Sequence, residues 1–156
     1  MIYGIGLPRT GTTTLAEALR ILGYFGHSQC ELTGKLEIDE EYVTSSNLRK
    51  FEVVNSAYQK FKPDGYFTTH SRDRYILTTR HDIEWGRSLY KHGANIFDIP
   101  SPSVYGELVE RVIPKHQLLV VDWSECKDYQ CNWKKLCDFL VETIPSEKFP
   151  CKNCDK

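Results

Sequence analysis

Residues Gly6-Leu7-Pro8-Arg9-Thr10-Gly11-Thr12-Thr13 bring two glycines, one guanidinium and three hydroxyls into eight consecutive positions. That set suits an anion. A glycine-bounded turn lets backbone N–H groups converge on one point. A helix starting just after it adds free N–H groups and the positive end of its dipole. Arg9 contributes a fixed charge, and Thr12 and Thr13 contribute hydroxyl donors. The spacing is that of a nucleotide-binding loop, G-x-x-x-x-G-K-[ST], with Thr12 where the lysine belongs. In nucleoside triphosphate sites that lysine serves the terminal phosphates. Its replacement turns the loop away from ordinary ATP or GTP chemistry and toward another phosphorylated ligand.

A second anion position follows the apolar run Tyr75 to Thr79. Arg80 closes that run, and Ser88 comes eight residues later. If the segment after Asp82 is helical, Ser88 lies two turns in, and a guanidinium and a hydroxyl converge on one phosphate. In isolation the pair is an ordinary surface arginine and serine. Joined to the N-terminal loop it becomes a second cradle. Arg87, beside Ser88, reads as a solvated charge.

These residues need elements to carry them. Apolar runs predict strands at 2–6, 24–28, 66–70, 75–79 and 117–122. Helical spacing predicts helices at 12–22, 47–61, 82–93, 102–113 and 129–143. In the first helix Leu15, Ala18, Leu19 and Leu22 form the apolar face, with Gly23 as the stop. In the second, Leu48, Phe51, Val54, Tyr58 and Phe61 form a stripe. Residues 31–45 are a polar surface excursion, 62–65 a turn and 94–101 a loop. Short apolar strands alternating with helices predict an α/β, P-loop-type three-layer fold. Its short parallel sheet is flanked by helices, in a single domain over residues 1–156. Ligands in such folds sit beyond the carboxyl ends of the strands, where the loop and Arg80 are expected.

The run Leu7 to Thr13 (LPRTGTT) is similar to the loop of sulfotransferases that use 3′-phosphoadenosine 5′-phosphosulfate, whose cytosolic members carry P-K-S-G-T-T-W. It resembles a divergent branch of that family. The resemblance implies that Pro8, Arg9, Thr10, Gly11, Thr12 and Thr13 hold the donor's 5′-phosphate beside the transferring sulfuryl group. Arg9 stands at the family's catalytic lysine, and Thr10 at the serine after it. Arg80 and Ser88 match the family's 3′-phosphate pair. Thr14 stands where the cytosolic enzymes place a tryptophan against the adenine. Phe67-Thr68-Thr69-His70 is similar to a K-T-H segment whose histidine is the base, which makes His70 the expected proton acceptor. His27 and then Glu17 are the alternatives. The segment from Leu118 to Pro150 resembles the end of the divergent branch, and the C-terminal R-K-G segment of the cytosolic enzymes is not visible. The chemistry so implied moves a sulfuryl group to a hydroxyl or amine of a small-molecule or glycan acceptor and requires no metal. The acceptor wall is expected from residues 30–60 and 94–105, including Phe97 and Tyr105.

Composition agrees with a globular enzyme. The chain has 156 residues, 40 % of them hydrophobic and 26 % charged, and a formal net charge of −1. That charge argues against a nucleic-acid partner. No apolar run is long enough to span a membrane, and no signal peptide is visible, so a cytoplasmic setting is expected. The six cysteines should then be thiols or metal ligands. Cys126, Cys131, Cys151 and Cys154 have a spacing that allows a zinc site. Two rival readings remain. One is a P-loop nucleotide or small-molecule kinase, with Asp122 at the end of Leu118 to Val121 positioning magnesium. The other is a non-catalytic nucleotide-binding domain of the same fold.

Overall fold

The computed structural model describes residues 1–29, 49–61, 67–93 and 98–151. The polar excursion at 31–45, the turn at 62–65, Phe97 and Cys154 lie outside the described residues.

Five strands form one parallel sheet. They are β1 (Ile2–Gly4), β2 (Phe25–Ser28), β3 (Lys50–Val53), β4 (Arg74–Thr78) and β5 (Leu118–Val121), in the spatial order β2-β3-β1-β4-β5. The register places Ile2 opposite both Phe51 and Arg74, and Gly4 opposite Val53 and Ile76. The helices are α1 (Thr12–Ile21), α2 (Asp82–Lys91), α3 (Pro102–Val112) and α4 (Cys131–Leu140).

Side-chain alternation along the strands makes the layers. Ile76 points to one face and Tyr75 and Leu77 to the other. The first face is covered by α1 and α4 through Leu15, Leu19, Trp133 and Leu136, all 1 % exposed or less. The second is covered by α2 and α3 through Trp85, Leu89, Tyr105 and Val109. The result is an α/β three-layer sandwich of the P-loop type, with β1 in the middle. The chain leaves β1 toward β2 and β3 on one side and resumes at β4 on the other. This reversal opens a crevice at the carboxyl end of β1.

Three expectations need correction. The helix at 47–61 is instead β3 followed by a short 3-10 turn, Ala57–Phe61. Phe51 and Val53 are both buried while Lys50 and Glu52 are half-buried, a period of two that the spacing of Phe51, Val54 and Tyr58 disguised. In its described part the strand expected at 66–70 does not form: residues 67–70 are irregular, and β4 begins only at Arg74. The cysteines are not all thiols. Cys126 and Cys131 are joined in a disulfide, with their Cα atoms 5.8 Å apart, and Cys151 is also disulfide-bonded. A four-thiolate zinc site through Cys126 and Cys131 is therefore not what is built. Cys137 is a free, buried thiol. Among the described residues no helix is long and apolar enough to cross a membrane.

Candidate active site

The loop between β1 and α1 is fixed from below, through its carbonyls. Thr10 Oγ1 donates to the Leu7 carbonyl at 2.6 Å. Trp85 Nε1 donates to the Pro8 carbonyl at 2.8 Å, and Trp123 Nε1 to the Gly11 carbonyl at 3.1 Å. Arg80 Nη1 donates to the Arg9 carbonyl at 3.4 Å. Four carbonyls are thus turned outward onto protein donors. Peptide planarity then biases the intervening N–H groups toward the opposite side. Two left-handed residues make this turn, Arg9 at φ 66° and Gly11 at φ 91°. Gly11 is also the N-cap of α1 and brings no side chain to cap it. The first-turn N–H groups of Thr12 and Thr13 have no carbonyl of the helix behind them. An anion satisfies them, and the helix dipole favours it.

Close approach explains the other glycine. A Cβ on Gly6 would lie 2.0 Å from Thr78 Oγ1. With hydrogen there instead, Thr10 Oγ1 reaches Thr78 Oγ1 at 2.9 Å and ties the loop to β4. Both hydroxyls are buried, so this bond is made away from water.

The second cradle is attached to the first. Arg9 Nε donates to Ser88 Oγ at 3.1 Å. Arg80, two residues beyond β4, reaches the loop backbone as above and lies 3.9 Å from Glu84. Pro8, Arg9, Thr10, Gly11, Thr12, Thr13, Arg80 and Ser88 all line one cavity of about 800 Å³, open to solvent. Its size suits a nucleotide-sized ligand. Arg87 and Lys91 border it as well, so among the described residues four cationic side chains and two carboxylates, Glu84 and Asp122, line it. Arg87 is exposed, but it faces this cavity rather than open surface alone.

The expected base does not join them. His70 precedes β4 instead of ending a strand, so it stands at the amino edge of the sheet, opposite the loop. It lines a separate cavity of about 460 Å³, with Tyr3, Glu52 and Asp73. Its carbonyl accepts from Gln117 Nε2 at 2.7 Å. The strand that was to carry His70 to the loop is not there, and His70 does not share the loop cavity. His27 lies within β2 and Glu17 on α1, and neither lines the loop cavity. Tyr105 is core: it is 1 % exposed, and its hydroxyl donates to the Ile5 carbonyl at 2.6 Å. It forms no acceptor wall.

Among the described residues, the proton-accepting groups that line the loop cavity are Glu84, His92 and Asp122. Glu84 faces Arg80. His92 lies just past the end of α2, with Nδ1 3.0 Å from the Ser88 carbonyl. Asp122 follows β5 directly, and its Oδ1 accepts from the Ser124 N–H and hydroxyl. Asn55, just beyond β3, borders the cavity from the other side of β1. The tryptophan clamps and Asn55 were not read from sequence. The only local signal was that Trp123 comes just after the strand expected at 117–122; Asn55 fell inside the helix expected at 47–61.

Two cradles of positive potential sharing one cavity can bind a bisphosphorylated ligand and neutralise charge that develops between them. A sequence model of the sulfotransferase domain matches the chain in two stretches, residues 1–105 and 103–156. No curated protein matches it significantly. The match runs through the loop, Arg80, Ser88 and the Trp123 clamp alike, and it points to sulfotransferase-type activity: this chain belongs to the sulfotransferase-domain family.

Proposed function

We propose that this protein moves a sulfuryl group from 3′-phosphoadenosine 5′-phosphosulfate to a hydroxyl or amine of a small-molecule or glycan acceptor. The observation that carries the reading is the junction of the two cradles: Arg9 reaches Ser88, and Arg80 reaches the backbone of Arg9. In this reading a ligand with one phosphate at the α1 N-terminus offers its second to Arg80 and Ser88, which line the same cavity.

Each residue then has a task. The loop N–H groups, Thr12 and Thr13 hold the 5′-phosphate. Arg80 and Ser88 hold the 3′-phosphate. Arg9 neutralises the charge that builds on the departing phosphate oxygen as its bond to sulfur breaks. Asp122 takes the acceptor's proton as the new bond to sulfur forms. It is chosen over Glu84 because Glu84 faces Arg80, whereas Asp122 is paired with no cation among the described residues. Cytoplasmic placement and the disulfide pull apart. A bridge such as Cys126–Cys131 persists in oxidising compartments and is reduced in the cytosol, so the bridge favours an oxidising setting over the expected cytoplasmic one.

Calorimetric titration with 3′-phosphoadenosine 5′-phosphate, against ATP–magnesium as control, tests the donor. Preference for the bisphosphate is expected, with markedly weaker binding in Arg80→Ala and chiefly slower transfer in Arg9→Ala. Asp122→Asn keeps an acceptor for Ser124, so it should bind donor normally and lose transfer. Tight magnesium-dependent ATP binding instead would favour the kinase reading, in which Asp122 would position the magnesium. Donor binding without turnover on a broad acceptor panel would favour a non-catalytic domain.

A further inference from the structure

The resemblance leaves the donor's base without a partner. Thr14 stands where a tryptophan would meet the adenine, and it is 3 % exposed with no ring to offer. The aromatic surface at this end of the cavity comes from elsewhere, from Trp123 and Tyr129. Trp123 is already engaged. Its indole is 5 % exposed, its Nε1 holds the Gly11 carbonyl, and its ring lies 4.9 Å from that of Phe149. Tyr129 is half-buried, packs on the core shared by α1 and α4, and borders the cavity.

The backbone around Tyr129 is built to present it. Its φ is 61°, in the left-handed region that a tyrosine rarely adopts. Such a conformation persists only where its surroundings impose it. Here the Cys126–Cys131 bridge closes the short loop that contains it. Asn132 N–H donates to the Tyr129 carbonyl at 3.0 Å, and Asn132 Nδ2 donates to the Trp123 carbonyl at 2.9 Å. The loop is thereby tied to the residue that clamps the phosphate loop.

We propose that Tyr129 is the stacking platform for the purine of the donor nucleotide, and that the Cys126–Cys131 bridge holds it in position. This rests on the donor reading above, because the ligand is the same bisphosphate. Base–aromatic stacking is sequence-tolerant and strong, so losing the ring should weaken binding by about 5- to 150-fold.

The test titrates the whole chain with 3′-phosphoadenosine 5′-phosphate and with ribose 3′,5′-bisphosphate, which lacks the base. The variant is Tyr129→Gly, because glycine adopts the left-handed backbone freely and so keeps the loop. Circular dichroism and thermal unfolding confirm that it folds. The variant should lose affinity for the nucleotide and bind the base-less bisphosphate as the parent does. Tyr129→Phe should retain affinity for both. Replacing Cys126 and Cys131 together by serine, which removes this bridge and leaves that of Cys151, should weaken nucleotide binding in the parent and add little in Tyr129→Gly, and unchanged nucleotide affinity would overturn the bridge's part. Equal loss for both ligands would mean that Tyr129 only supports the loop, and unchanged nucleotide affinity in Tyr129→Gly would overturn the assignment directly. Failure of the parent to bind either bisphosphate would sink the donor reading itself, which separates the two ideas.

Discussion

Gly11→Ala probes the clamp beneath the phosphate loop. Three costs add. The backbone at φ 91° is one that an L side chain rarely adopts, at about 1–2 kcal/mol. The new Cβ would lie 2.5 Å from Trp123 Cδ1 and 2.9 Å from Nε1, so the indole must move. Trp123 is buried against Phe149 and has little room, and such overpacking costs about 1–3 kcal/mol. Moving the ring also breaks its bond to the Gly11 carbonyl, worth about 1 kcal/mol. The sum is about 3–6 kcal/mol, a large share of a typical domain's stability. Gly93→Ala is the built-in control. Gly93 has φ 69°, but a Cβ there meets nothing within 4 Å. It should cost only the backbone share, about 1–2 kcal/mol. Urea unfolding of both variants, at matched slopes, isolates the clash as the difference, about 2–4 kcal/mol. If Gly11→Ala proves no less stable than Gly93→Ala, the indole is not locked against the loop, and the account of how the loop carbonyls are held is wrong.

Two further outcomes follow from single residues. Glu52 sits half-buried on β3, and burial raises its pKa above 4.5, with His27 and Lys60 opposing the shift. An acid with a raised folded pKa penalises the fold once it ionises: the penalty is absent below the unfolded pKa and complete above the folded one. Glu52→Gln should therefore be more stable than the parent at neutral pH, with the difference vanishing as pH falls through the carboxylate range. Denaturant melts across that range check it, and a constant difference would contradict it. Gly106 lies inside α3, and a methyl added there would meet nothing within 4 Å. Gly106→Ala should raise stability by about 0.5–1 kcal/mol through helix propensity alone, which thermal unfolding detects as a higher Tm.

What the sequence disclosed was what is local. The loop after β1 is eight contiguous residues whose turn depends on the backbone they occupy, so their order sufficed to place it. Arg80 and Ser88 were legible because a strand end and a helix turn relate them at short range. Phe51 misled because a buried strand and a helical stripe share positions over so short a stretch, and period two wins only once β1 lies beside it. The placement of His70 at a strand end misled for a related reason. A residue at the end of a strand and one ahead of the next look alike in sequence, yet they lie on opposite edges of a parallel sheet. The indole donors from Trp85 and Trp123 cross 77 and 112 positions to reach the loop, and nothing in their neighbours announces it.

The ladder between β1 and β4 has one more effect. Ile5 N–H donates to the Ile76 carbonyl at 2.9 Å, the next step of the pairing that joins Gly4 to Ile76. The phosphate loop and Arg80 emerge from these two strands, so main-chain pairing gauges the span between them. Apolar exchanges inside the sheet leave that gauge unchanged. Inserting or deleting one residue between Arg74 and Arg80 would reset it by about 3.3 Å and turn the guanidinium to the other face. Under the proposed donor reading, adapting this scaffold to a different phosphate spacing would thus call for such length changes rather than replacement of side chains.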